Sequence, residues 1–139
     1  MKQINFPQSF LTGHAVIDED HRRHIALINH INICFQDKLG AEAKQTCTAL
    51  QNFMDEHLER EEKILQDNEF PRLEEHIVDH GRLVEKCRAV LSHCNNVCLI
   101  NKAEVCTTKL FIAIVEHIVG SDLDFKSFLQ AQGVAEPAE

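Results

Sequence analysis

Positive charge is scarce in this chain of 139 residues, where 14 Lys and Arg stand against 22 Asp and Glu for a net charge of −8. Recognition of nucleic acid or another polyanion needs clustered cations to neutralise phosphates, so that class of partner is excluded. No apolar run approaches the roughly 18–20 residues that span a bilayer, and the stretch from Met1 to Pro7 has no signal-like apolar segment. The expectation is a cytoplasmic domain without membrane contact. Five glycines and three prolines are too few for a disordered or low-complexity chain, and Trp and Tyr are missing altogether. Cysteine is plentiful, at Cys34, Cys47, Cys87, Cys94, Cys98 and Cys106, but no Cys-x-x-Cys pair occurs. Reduced core thiols are expected rather than a disulfide framework. His93, Cys94 and Cys98 resemble part of a metal clip, yet a second ligand pair at zinc-like spacing is lacking.

What is present is helical periodicity. Four long segments carry apolar residues at spacings of three and four, with short breaks between them and no convincing alternation for a strand. Asp18 is the expected cap of a first helix whose stripe runs Ile25, Ile28, Ile31 or Asn32, Phe35 and Leu39. A second helix, about 41–65, turns Cys47, Leu50, Phe53, Met54, His57, Glu61 and Ile64 inward. Pro71 suits the first turn of a third, with Leu73, His76, Ile77, His80, Leu83, Val84 and Cys87 on one side. Asn95 and Asn96 mark a turn before a fourth helix from about Lys102, carrying Cys106, Leu110, Ala113, Ile114 and His117.

The architecture these segments predict is all-α: an antiparallel up-down four-helix bundle, with residues 1–17 as an N-terminal arm and a short C-terminal helix from Asp122 to about Gln130. Residues 1–130 form the domain. Residues 131–139, small, acidic and containing Pro137, read as a tail or the start of a linker.

Polar residues interrupt the inward faces at regular positions. His57 and Glu61 stand four apart, as do His76 and His80, so each pair projects from one helical face about 6 Å apart along the axis. An unpaired His or Glu in a core costs several kcal/mol, about 2–7 on transfer scales, unless something satisfies it, and a metal ion does. His117 and Asp122 would lie about 140° apart on a continuous helix, but a break at Gly120-Ser121 lets Asp122 turn toward the same centre. His21 completes a set drawn from all four helices. Five imidazoles and two carboxylates are too many for one tetrahedral zinc and suit two ions sharing bridging carboxylates, with iron favoured over the oxygen-preferring metals.

The segments Ile17-Asp18-Glu19-Asp20-His21, His57-Leu58-Glu59-Arg60-Glu61-Glu62, His76-Ile77-Val78-Asp79-His80 and His117-Ile118-Val119-Gly120-Ser121-Asp122 resemble the hemerythrin family, bacterial branch, from about Gly13 to Phe128. The resemblance implies two non-heme, oxo- or hydroxo-bridged irons: His76, His80 and His117 on one, His21 and His57 on the other, Glu61 and Asp122 bridging. It implies reversible dioxygen binding at the diferrous centre and no catalysis by the domain itself. Ile25, Phe53 and Ile114 would keep water from the pocket. Relatives commonly carry Trp or Tyr around the pocket and an aliphatic residue where His24 stands, and this chain departs from both habits.

An oxygen or redox sensor module is the expected role, fused through its C-terminus to a signalling domain such as a diguanylate cyclase or chemoreceptor output. A stand-alone oxygen carrier or scavenger is the alternative. A dioxygen-activating diiron enzyme ranks last, because no ligand candidate is preceded by Glu in a Glu-x-x-His pair. His14, His30 and His93 fall outside the pattern and are assigned to surface or packing roles. Glu56, Glu59, Glu62, Glu74 and Glu75 read as solvated helix faces.

Overall fold

The computed structural model of the chain describes residues 8–37, 40–97, 103–120 and 122–135, and the side chains of all of these except 35–36, 40, 93–97 and 103–107. Its elements are α1 (Ala15–Gln36), α2 (Gly40–Asp67), α3 (Leu73–Val97), α4 (Ala103–Gly120) and a short α5 (Lys126–Ala131), with 3-10 turns at Gln8–Phe10 and Asp122–Phe125. α1 packs on α2 and α4, and α3 packs on the same two, so each long helix touches both of its neighbours around a ring.

Two apolar clusters establish the direction of every helix. The larger contains Ile28, Met54, Leu83, Leu110 and Ile114, and the smaller joins Ile17, Leu65, Phe70, Phe125 and Leu129. α1 runs from the small cluster to the large one, α2 back, α3 out again and α4 back, which is the up-down antiparallel bundle that the periodicity predicts. His21, Glu61, His76, His80 and Asp122 fall between the two clusters along the chain, and His57 and His117 lie at the edge of the larger one, beside its Leu58 and Ile118. Each fully buried Leu or Ile contributes about 1.5–3 kcal/mol, so apolar layers of this kind can carry a polar one between them. No helix of the described residues is long and apolar enough to cross a membrane.

Several boundaries differ from the sequence expectation. α1 begins at Ala15, so Asp18 lies inside its first turn and His21 in its second. Instead of capping the helix, the buried Asp18 carboxylate reaches back to the arm, accepting from Thr12 N at 2.7 Å, Thr12 Oγ1 at 2.8 Å and Gly13 N at 3.0 Å. Gly13 turns the chain there with φ 89°, a conformation open to glycine. The arm itself lays Phe10 on the larger cluster.

α2 outlasts its expected end by two residues and stops without glycine. Glu69 takes φ 57°, its N–H donates to Gln66 O, and Phe70 N–H donates to Leu65 O at 2.9 Å. This is a Schellman stop, and Phe70 packs into the same cluster as Leu65. Leu65 is therefore fully buried while Ile64, the expected core residue, is only partly so. Pro71 lies in the turn just ahead of α3 rather than in its first turn.

Ile77, expected inside, is 43% exposed: with His76 and His80 turned inward, the next residue points about 100° away. α3 runs on through Asn95 and Asn96, because the helical penalty of Asn, below about 0.7 kcal/mol per residue, does not by itself end a helix held by packing. Phe6, Pro7, Leu39, Cys98, Lys102 and Ser121 lie outside the described residues, as do the side chains of Phe35, His93, Cys94 and Cys106. Beyond Gln130 the chain still packs: Val134 N–H donates to Leu129 O, and Ala135 rests on the smaller cluster.

Removing the Asp18 carboxylate strands the buried donors of Thr12. Asp18→Ala is expected to lower the unfolding free energy by about 2–3 kcal/mol in urea melts, with Asp18→Asn recovering part of the loss. An unchanged midpoint in Asp18→Ala would show that the arm is held by other contacts.

Candidate metal centre

All seven side chains singled out from the sequence meet in the polar layer between the two clusters. They come from α1 (His21), α2 (His57, Glu61), α3 (His76, His80), α4 (His117) and the 3-10 turn that follows it (Asp122). Glu61 and Asp122 are completely buried, and the side chains of the five histidines are 1–7% exposed. The 3-10 turn after Gly120 brings Asp122 inward, as the break in the helix predicts.

The two carboxylates divide their oxygens in the same way. Glu61 Oε1 lies 2.6 Å from His76 Nε2 and 2.9 Å from His80 Nε2, while its Oε2 lies 3.2 Å from His57 Nε2 and 3.8 Å from His21 Nε2. Asp122 Oδ1 faces His117 Nε2 at 2.9 Å and His76 Nε2 at 3.3 Å, and its Oδ2 faces His21 Nε2 at 2.9 Å. One oxygen of each thus serves the His76, His80, His117 side and the other serves the His21, His57 side. Two overlapping groups result, each able to hold a cation: Glu61, His76, His80, His117 and Asp122, and His21, His57, Glu61 and Asp122.

The donor set fits metal ions better than it fits itself. Glu61 Oε2, His117 Nε2 and both Asp122 oxygens make no hydrogen bond, although each stands close to an opposite atom. Their lone pairs converge on shared space rather than on one another. Burial alone would raise the pKa of Glu61, as would the Asp122 charge, yet the imidazoles of His57, His76 and His80 beside it prevail and hold it well down. Asp122 is held down against burial by His117, His21 and His76. Burial pushes His57 and His76 toward the neutral form, but Asp20 and Glu61 beside His57, and Asp122 and Glu61 beside His76, overcome it and raise both to about 9. A dication entering this layer would take the place of those protons.

Behind His57 stands a support that sequence reading did not assign. His57 Nδ1 donates to Asp20 Oδ2 at 2.9 Å, and Arg60 grips the same carboxylate with Nε at 3.0 Å and Nη2 at 2.9 Å. Burial would raise the Asp20 pKa, but these two partners draw it down to about 2. The ionised carboxylate fixes the proton on Nδ1 and leaves Nε2 facing the centre. Arg60 also lies over the Phe53 ring, 5.4 Å from its centroid. Asp20 and Arg60 immediately precede His21 and Glu61 in sequence, so on their own helices they point away from the inward face. Only the packing of α1 on α2 joins them.

One further residue departs from its expected role. Glu62, read as part of a solvated face, brings Oε2 to 3.4 Å from His80 Nδ1 and is only 29% exposed. His24 is buried, with its ring edge-on to His57 and Phe53 at 5.0 Å each and its Nε2 without a hydrogen bond. Burial, reinforced by His57 and His21, holds its pKa well below the ordinary value, so His24 is neutral. Ile25 and Ile114 are buried as expected, and Phe53 is partly buried. A groove of about 260 Å³ between α3 and α4, lined by Asp79, Arg82, Lys86, Glu116 and His117, brings solvent to the outer edge of the layer.

The chain matches the family model of the hemerythrin HHE cation-binding domain over residues 12–129, a span that includes all seven side chains. No curated protein matches it.

Loss of the Asp20 carboxylate frees the His57 ring and should weaken metal binding by about 10–100-fold. Chelator competition on Asp20→Ala, with circular dichroism as the check on folding, measures this. Affinity equal to wild type would remove Asp20 from the site.

Proposed function

The chain belongs to the hemerythrin family, and from that premise we propose that the buried cluster is a bridged non-heme diiron centre that binds dioxygen reversibly. In this reading His76, His80 and His117 hold one iron, His21 and His57 the other, and Glu61 and Asp122 span the two. The observation that carries it is the division of the carboxylate oxygens, one of each toward the three-histidine group and one toward the two-histidine group. A single ion would engage one oxygen of each carboxylate, or both at one point, and would leave one of the two histidine groups without a metal.

When bound, the diferrous pair supplies the two electrons that dioxygen uptake requires. The chain's own residues do the rest. Two buried carboxylates offset much of the metal charge, and neutral imidazoles complete the set without adding more. Asp20 and Arg60 fix His57, on the side with one imidazole fewer, which is where this reading places the open position. Ile25 and Ile114 close the apolar wall there, limiting entry of water and loss of protonated products. Neutral His24 adds one polar group to that wall.

Sensing is the role we favour over carriage, because the ligand nearest the C-terminus is built into the element that leads there. Asp122 opens the 3-10 turn that ends in fully buried Phe125, and α5 follows with fully buried Leu129. A shift of Asp122 would reach the C-terminal helix within one turn, and from there a fused signalling output of the cyclase or chemoreceptor kind.

The test is iron content together with the optical spectrum of the reduced protein before and after oxygen. Two irons per chain and a charge-transfer band that vanishes on removal of oxygen are expected. His117→Ala should lose iron, while His93→Ala should not. One zinc per chain, or no spectral change, would overturn the reading. For the sensor role, hydrogen exchange in 122–131 should differ between the reduced and oxygenated forms, whereas identical exchange would favour the carrier.

A further inference from the structure

A second group of metal-binding side chains lies where α1 gives way to α2, about 14 Å along α1 from His21. His30 and Cys34 stand one turn apart on α1, and Glu42 lies in the first turn of α2. Glu42 Oε1 is 3.1 Å from His30 Nε2, Cys34 Sγ is 3.6 Å from the same nitrogen, and all three donor atoms fall within 4.8 Å of one another. His30 and Glu42 are about half exposed, whereas Cys34 is 1% exposed.

His30 and Glu42 alone would make an ordinary surface ion pair, but the buried Cys34 thiol, which Thr46 also reaches, brings its sulfur to the same nitrogen. One imidazole nitrogen has a single proton or a single lone pair along one direction, so it can satisfy the oxygen or the sulfur and not both. A cation among the three satisfies all of them. The two spacings to His30 Nε2 agree with this: zinc bonds of about 2.0 Å to nitrogen and oxygen and 2.3 Å to sulfur, at tetrahedral angles, set N and O about 3.3 Å apart and N and S about 3.5 Å apart.

We propose that His30, Cys34 and Glu42 form a separate site for one thiophilic divalent cation of the zinc class, with water in the fourth position. Binding displaces the thiol proton to solvent, and the resulting thiolate and the Glu42 carboxylate together cancel the charge of the dication. A thiolate and an imidazole exclude magnesium and calcium, which prefer oxygen. The half-exposed His30 and Glu42 leave room for the ion to enter and for the water to exchange. The ion would tie the end of α1 to the start of α2.

Cobalt(II) replaces zinc in such sites and reports sulfur ligation through an intense thiolate-to-metal absorption. Titrated into the full chain with its central cluster already loaded with iron, cobalt should bind at one further equivalent and give that band. Cys34→Ser should abolish the band, and Glu42→Gln, at an exposed position that folding tolerates, should weaken binding at least about tenfold. Iron content, read in parallel, should stay unchanged in both variants, which separates this site from the central one. No thiolate band in wild type, a band that survives Cys34→Ser, or affinity untouched by Glu42→Gln would each overturn the proposal.

Discussion

Two carboxylates with no exposure to water lie in the middle of this bundle, and the rest of the structure answers to them. An uncompensated buried carboxylate costs several kcal/mol or more, enough to consume most of the stability of a domain this size. Five imidazoles are brought against Glu61 and Asp122, and they leave several oxygen and nitrogen atoms close to a partner yet without a hydrogen bond. The layer is built for cations. Its polarity is what the two apolar clusters on either side have to support.

That constraint explains why the side chains come from every long helix. α1, α2 and α3 each run from one apolar cluster to the other, and α4 does so together with the 3-10 turn that follows it, so each presents its polar residues at the crossing. A set of metal-competent side chains drawn from four helices and a terminal turn links elements whose packing runs mainly between neighbours around the ring. The support extends outward as well. Asp20 and Arg60 join α1 to α2 directly behind His57, and the Asp18 carboxylate anchors the arm one turn from His21.

Much of this is legible in the sequence because helical spacing is a strong constraint. His57 with Glu61, and His76 with His80, can face only one way on helices whose apolar stripes are evident, and Gly120 announces the turn that brings Asp122 inward. What is not legible depends on neighbours distant in sequence. Asp20 and Arg60 look like solvated charges until α1 meets α2, and Glu62 looks the same until His80 arrives beside it. His30 and Glu42 are surface residues on their own helices and become a pair only across the α1–α2 connection. Local signals also mislead where packing outweighs them: the two asparagines at 95 and 96 do not end α3, and Glu69 ends α2 where a glycine would be expected.

The central claim is that the carboxylates bridge two irons rather than surround one. The Mössbauer spectrum of the protein loaded with isotopically enriched iron and then oxidised tests this most directly. Bridged ferric ions couple to a diamagnetic ground state, so all of the iron should appear as quadrupole doublets at low temperature in a weak applied field. A magnetically split spectrum from isolated ferric ions would contradict the account.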